Sequence, residues 1–216
     1  MNRILTASLV VILLAGCTAP NVGVGLSGSG NVVSNTFDLT GFSQIDTNSA
    51  VQVQVTHGDS YRVEVQVDDN LVSHLDVGVT GDTLHIRLQN GSYRNYTLKA
   101  LVTLPELTKV TMNGASTLDG NMAGENLSLD LNGASRITLT GTAGRLTIVA
   151  NGASQLLLAG LAAESVDLDA NGASHIEVNA SGAVTGRANG ASVITVGGSP
   201  TSVDIKTEGA SQVITK

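Results

Sequence analysis

Asn113-Gly114-Ala115-Ser116 recurs as Asn132 to Ser135, Asn151 to Ser154, Asn171 to Ser174 and Asn189 to Ser192, with Glu replacing Asn in a sixth copy, Glu208 to Ser211. First positions are 19, 19, 20, 18 and 19 residues apart. So steady a step marks a repeat architecture. Residues three before the Asn (or Glu) are Val110, Leu129, Ile148, Leu168, Gly186 and Ile205. One before stand Met112, Leu131, Ala150, Ala170, Ala188 and Thr207, with mostly polar residues between the two sets. That is the period-two alternation of a strand with one buried face. Asn-Gly then supplies the positive φ that a sharp corner needs. Alternation resumes with Leu118, Ile137, Leu156, Ile176, Ile194 and Val213, five places past each Asn or Glu.

Each unit therefore reads as strand, tight corner, strand and a loose Gly-rich turn such as Gly141 to Gly144. About 19 residues hold two strands of about five plus turns, and no helix. The expected fold is all-β: a parallel β-helix whose coils stack at roughly 4.8 Å. Identical positions then form columns. Asn113, Asn132, Asn151, Asn171 and Asn189 are expected to form a structural ladder of hydrogen-bonded amides. The Ala after Asn-Gly is expected to point into the corner, and the Ser to hydrogen-bond the turn. A leucine-rich repeat is the nearest competitor, but the Asn spacing is wrong and no convex-side helix fits.

The front end gives an address. Arg3, the apolar run Ile4 to Leu14 and Leu14-Ala15-Gly16-Cys17 read as a lipoprotein signal peptide over residues 1–16, and all four lipobox positions match. The run is too short to cross a bilayer as a helix. By that likeness Cys17 is the lipidated first mature residue, anchored by acyl chains worth about 0.8 kcal/mol per buried methylene. Thr18 rather than Asp follows, which in lipoproteins of the enterobacterial type favours the outer membrane. Residues 17–30 form a flexible tether rich in Gly, Ser, Asn and Val. Cys17 is the sole cysteine, so no intramolecular disulfide is possible. Without Arg3 the chain carries 10 basic against 18 acidic residues, net −8. That balance excludes nucleic acid and electrostatic attraction to anionic lipid as partners.

Residues 31–216 form the folded domain, with regular coils from about 106 to 216. Val51 to Val55, Tyr61 to Val67 and Leu84 to Leu88 alternate cleanly, with hairpin turns expected at His57-Gly58-Asp59 and Thr80-Gly81-Asp82. Ile45-Asp46-Thr47-Asn48-Ser49-Ala50 matches Val110 to Ala115 with Ser for Gly, and reads as a divergent first coil. An antiparallel sheet, about residues 51–105, is then inserted between coils one and two.

Gly41-Phe42-Ser43-Gln44-Ile45-Asp46, Asp68-Asp69-Asn70-Leu71, Gly81-Asp82-Thr83-Leu84, Leu104-Pro105-Glu106-Leu107 and the Gly-Ala-Ser coils together resemble the head GIN domain family. The likeness spans Gly28 to Lys216. The family is described as a putative auto-transporter adhesin head. The resemblance implies a right-handed β-helix on exported, often lipidated bacterial proteins, and carries over no catalytic residues. Glu208 for Asn and Ser49 for Gly depart from the coil pattern without threatening the fold.

Signatures of chemistry are sparse. No Gly-x-Ser-x-Gly elbow, Walker loop, dinucleotide fingerprint or calcium nonapeptide occurs. His57, His74, His85 and His175 lack metal-ligand spacing. No cofactor or metal is expected. Asp130, Asp167, Asp169 and Arg187 share an outward face. Asp130 and Asp169 lie two coils apart, about 9.6 Å, near the spacing of inverting glycoside hydrolases. A solvated face with an Asp169–Arg187 pair is the plainer reading, and the coils from Asn113 onward contain no aromatic residue to line a sugar cleft. Tyr93, Arg94 and Tyr96 follow Asn90-Gly91 on a loop and are a candidate binding surface.

The sequence thus points to a non-catalytic envelope lipoprotein, an adhesin-like or structural head. It is held by its lipid on the periplasmic or cell-surface face, with an unknown protein or glycan partner. A polysaccharide-active enzyme and an accessory or sensor domain are the alternatives. Weak self-association through the last coil is a further expectation, because a β-helix end leaves backbone groups unpaired.

Overall fold

The computed structural model describes residues 25–216; the signal sequence and Cys17 lie outside them. The described chain is nearly all-β, a solenoid of about six turns of roughly 19 residues. Two stacks of strands form its walls. The stack before the corner runs Leu75–Thr80, Thr83–Leu88, Gln44–Thr47 and Lys109–Gly114. It continues through the later halves of Thr117–Gly133, Arg136–Gly152 and Gln155–Gly172 to Ala183–Gly190 and Ser202–Thr207. The stack after the corner runs Val32–Phe37, Arg62–Asp68, Leu98–Leu104 and Gln52–His57. It continues through the earlier halves of the same three long strands to His175–Ala180, Val193–Gly198 and Gln212–Thr215.

Sequence period and spatial register coincide. Asn113 sits beside Asn132, which sits beside Asn151, then Asn171, then Asn189. Inward positions form a continuous apolar core of Leu, Ile, Val and Ala. In one coil Leu127, Leu129, Leu131, Ile137 and Leu139 are all buried. Each such side chain contributes about 1.5–3 kcal/mol of burial, against the entropy of ordering a coil's backbone.

The corner differs from expectation in one respect. The Ala of each Asn-Gly-Ala-Ser is exposed, whereas Ser116, Ser135, Ser154, Ser174 and Ser192 are buried. Period two simply continues through the corner: Met112, Ser116 and Leu118 share the inner parity, and Ala115 falls outside. The buried hydroxyls need acceptors, and each finds one on the coil before. Ser135 donates to the Gly114 carbonyl at 3.3 Å, and Ser154 and Ser174 donate to Gly133 and Gly152 at 3.4 Å each. Ser116 does the same to the Ser49 carbonyl. Glycine is obligatory between them. At Gly152, φ is +102° and a Cβ would lie 2.5 Å from the Gly133 carbonyl oxygen.

The Gly-rich segments of the three long strands are also not loose turns, whereas residues 181–182 and 199–201 do interrupt the strands of the later coils. Pairing runs from Thr117 beside Arg136 through Gly124 beside Ala143, then from Asn126 beside Arg145 to Gly133 beside Gly152. These two coils bend there and stay in the ladder, while the next two pairings shift register before the bend.

The insertion between coils one and two does contain antiparallel strands, but they prolong the two walls instead of forming a separate layer. Gln52–His57 lies beside Thr117 to Gly120 and belongs to coil one. Thr83–Leu88 and Leu98–Leu104 run parallel to the two strands of coil one, making an extra coil beneath it. The antiparallel strands Leu75–Thr80, Arg62–Asp68 and Val32–Phe37 close that end. Thr80-Gly81-Asp82 is the hairpin turn expected, with Gly81 at φ +63°. His57-Gly58-Asp59 is not a hairpin, because Leu98–Leu104 slots between the two strands that it connects.

Candidate functional site

The bend opposite the Asn-Gly corner builds a groove. Gly124, Ala143, Ala163, Ala180 and Gly198 occupy one column there, all small, so the outer wall recedes across five successive coils. Thr142, Ala162 and Asn179 stand along one side. Asn126, Arg145 and Ser165 stand along the other. The resulting groove has a volume of about 860 Å³. Glu125 and Glu164 line it on either side of Gly144, where a Cβ would come 2.7 Å from the Glu125 carbonyl oxygen. Two coils of spacing put these exposed carboxylates about 9.6 Å apart along the axis. Asn179 is held in place by donating its amide to the Ala159 carbonyl at 3.2 Å. The groove offers carboxylate acceptors, amides, hydroxyls and one guanidinium, with no aromatic ring.

The Asn column forms a directional chain of side-chain hydrogen bonds. Each amide donates to the carbonyl oxygen of the Asn one coil earlier: Asn132 to Asn113 at 3.3 Å, Asn151 to Asn132 at 2.9 Å, Asn171 to Asn151 at 3.2 Å and Asn189 to Asn171 at 2.8 Å. The second amide hydrogen explains part of the acidic column. Asn132 donates it to Asp130 at 3.1 Å, and Asn171 donates it to Asp169 at 2.9 Å. Asp169 lies beside Arg187, yet the described residues show no ion pair between them; its carboxylate is turned to Asn171 instead. Asp167, Asp169 and Arg187 line a shallow hollow of about 430 Å³ around Gly186, together with Asp204 and Lys206. Asp130 is two coils away and outside it.

Tyr93, Arg94 and Tyr96 lie in the loop that replaces the tight corner in the extra coil. Tyr93 packs edge-on against Tyr96, with ring centroids 6.2 Å apart, and against His74 at 5.8 Å. Burial pushes the Tyr96 phenol above its ordinary range, partly offset by a backbone hydrogen bond from Ala50. Both tyrosines pack against the core, and Arg94 is exposed. Tyr93 and Arg94 also pair in parallel with Leu26–Ser27.

One constellation joins a family motif to partners far away in sequence. Asp68 is buried and accepts the Gly30 and Thr97 N–H groups at 2.6 Å each. Asp69 accepts the Ser29 hydroxyl at 2.6 Å and the Asn31 amide at 3.1 Å. Asn70 accepts from the Ser29 N–H and donates to the Ser27 carbonyl. Asp68-Asp69-Asn70 thus clamps the segment by which the chain enters the fold. Among the described residues there is no cluster suited to a metal ion, and no helix long and apolar enough to cross a membrane.

Comparison with known proteins agrees with this architecture. A putative adhesin from Bacteroides fragilis NCTC 9343 superimposes with a TM-score of 0.72 at 19% identity, over 89% of this chain and 100% of that one. A putative adhesin from Parabacteroides merdae ATCC 43184 gives 0.54 at 14% identity, over 88% and 98% of the two chains. A putative lipid binding protein from Parabacteroides distasonis ATCC 8503 gives 0.51 at 17%, over 88% and 99%. At these identities the likeness is one of fold. No curated protein matches the chain. The family model described as "Putative auto-transporter adhesin, head GIN domain" matches residues 41–200. With that match over most of its length, the chain belongs to the head GIN domain family.

Proposed function

We propose that this chain is a non-catalytic adhesin-type head, held at the bacterial envelope by lipid on Cys17, and that it binds extended glycan chains along the groove opposite the Asn-Gly corner. The groove carries the reading: a channel of mixed polar groups and small residues crossing five coils of an otherwise filled solenoid. Its carboxylates, amides and hydroxyls complement sugar hydroxyls, and its coil-to-coil repeat of about 4.8 Å offers similar contacts along a polymer. Without aromatic stacking each sugar is held weakly, and affinity grows with the number of units engaged. Glu125 and Glu164 are exposed, whereas a general acid for glycoside cleavage needs a desolvated carboxyl, which favours binding over turnover. The neighbour named for lipid binding suggests another cargo, but a lipid needs a largely apolar cleft. The groove walls here set charged, amide and hydroxyl side chains among small alanines and glycines, with no large apolar residue to hold an acyl chain.

Lipobox residues ending an apolar run motivate the anchor, and membership in an adhesin-like family fits a surface or envelope location. Cys17→Ser should leave the protein exported but unanchored; a mutant that fractionates with membranes as the wild type does would remove the anchor from the proposal. For the groove, a soluble Thr18 to Lys216 fragment applied to a glycan array should bind polymeric glycans more strongly than their short fragments. Glu125→Gln with Glu164→Gln should weaken that binding without unfolding the fragment. Turnover of any bound polysaccharide would contradict the non-catalytic reading.

A further inference from the structure

The chain contains six Asn-Gly dipeptides: Asn90-Gly91 and the five of the coil corners. Asn-Gly is the dipeptide most prone to spontaneous deamidation, because glycine puts no side chain in the way of ring closure. The backbone nitrogen of the glycine attacks the Asn side-chain carbonyl carbon. The new C–N bond forms, the bond to Nδ2 breaks, and ammonia leaves carrying the proton shed by the attacking nitrogen. The resulting succinimide is opened by water at either carbonyl, giving aspartate or isoaspartate. No oxidant or cofactor takes part.

The structure assigns this chemistry to Asn90-Gly91 as a modification site and shields the five corners from it. The five corner dipeptides end strands, Lys109–Gly114, Thr117–Gly133, Arg136–Gly152, Gln155–Gly172 and Ala183–Gly190. An extended strand holds the asparagine away from the folded conformation that ring closure requires. The leaving amide is held as well, since Asn132, Asn151, Asn171 and Asn189 each donate it to a neighbouring rung. The corners are also crowded by the coil before: at Gly133, Gly152, Gly172 and Gly190 a Cβ would lie within 2.4–2.5 Å of the preceding glycine's carbonyl oxygen. Asn113 is held less completely. Its carbonyl oxygen accepts from Asn132, and among the described residues its amide has no acceptor.

Asn90 and Gly91 lie outside any strand and outside the ladder, and what crowds Gly91 is a side chain and not a neighbouring coil's backbone: a Cβ there would lie 2.8 Å from the Tyr93 hydroxyl. Both are exposed and lie in a bend between Thr83–Leu88 and Tyr93–Arg94. Among the described residues no hydrogen bond engages the Asn90 side chain. The product carboxylate would arise in a cleft of about 540 Å³ shared with Asp76, Arg87, Asn48 and Ser49, changing the charge there. The fold therefore concentrates ageing at one loop and spares a ladder in which one acid would set acceptor against acceptor.

The test is to incubate the purified full chain at mildly alkaline pH and follow each Asn-Gly peptide by mass spectrometry. Asn90 should convert more than roughly tenfold faster than Asn132, Asn151, Asn171 and Asn189, a ratio worth about 1.4 kcal/mol of protection from local opening. Asn113 should fall between. In concentrated denaturant the six rates should converge, which assigns the sorting to the fold. Asn90→Gln should leave the native protein free of fast conversion. Ladder asparagines converting as fast as Asn90 in the native protein, or Asn90 persisting as long as they do, would overturn the assignment.

Discussion

The two ends of this molecule are held by opposite means. From Lys109 onward each coil repeats its predecessor, and stability comes from columns: inward aliphatics, buried serines bonded to glycine carbonyls, and the Asn ladder. Before Leu107 the repeat survives only in the divergent coil that begins at Ile45. That end is closed by antiparallel strands and by the single clamp of Asp68, Asp69 and Asn70 on residues 27–31. The contrast teaches that a solenoid can spread its polar satisfaction over identical neighbours, whereas its closing end must satisfy each group once, with specific partners.

The largest expected effect breaks the columns. Gly152→Val forces a β-branched residue into positive φ with its Cβ 2.5 Å from a backbone oxygen, and should cost about 3 kcal/mol or more. Gly30→Ala, at φ +82° where a Cβ meets nothing within 4 Å, should cost only about 1–2 kcal/mol, the backbone term alone. Urea unfolding of both variants measures the difference; equal costs would mean that coil contact adds nothing at Gly152.

Asp68→Ala attacks the other end. It orphans the Gly30 and Thr97 N–H groups and should cost about 2–3 kcal/mol. Hydrogen exchange should quicken at residues 28–31 while the coils from Lys109 onward keep their protection. Uniform loss of protection would show that the two ends unfold as one unit.

Asn151→Ala sharpens the ladder. It removes one bond as donor and one as acceptor and should cost about 2 kcal/mol, against about 1 kcal/mol for Asn113→Ala, which loses only the bond from Asn132. Equal, negligible changes in urea midpoint would make the ladder decorative.

Acid should produce the smallest effect, confined to the closing end. Hydrogen bonds from Ser34 and then Arg62 hold the Glu64 carboxyl below its ordinary 4.5. Those from Ser29 and then Asn31 hold Asp69 below 3.8, and Arg87 does the same for Asp76. A carboxyl depressed in the folded state contributes stability above its unfolded value, and that contribution fades as pH falls through the folded value. Stability should therefore decline modestly below about pH 4, and exchange at the Asp69 and Asp76 contacts should quicken before the coils respond.

Much of the coil was legible because its period is short and its columns are near-identical in sequence. The corner, the parallel stacking and the Asn register all follow from one alignment of Asn113, Asn132, Asn151, Asn171 and Asn189. The Ser–Ala inversion was legible too: counting parity from Met112 through Gly114 puts Ser116 inside, and a corner glycine does not change that count. The groove was hidden because Gly124, Ala143 and Gly198 look like turn residues until register aligns them as a receding wall. The Asp68 clamp joins residues 29 to 43 apart, a distance at which no local pattern signals contact. The extra coil was missed because its strands follow coil one in sequence yet lie beneath it in space.

The glycan that we propose for the groove can be excluded by one substitution. Ala162 is exposed and stands on the groove wall between Thr142 and Asn179, so Ala162→Trp should fill the channel without touching the core. Binding of the soluble wild-type and Ala162→Trp fragments to glycans captured on an array, with urea unfolding as the control for folding, is the direct measurement. The two fragments should be equally stable, and Ala162→Trp should lose at least about tenfold in glycan binding, roughly 1.4 kcal/mol. An Ala162→Trp fragment that folds and binds the same glycans as tightly as the wild type would place the binding surface elsewhere and overturn the glycan groove.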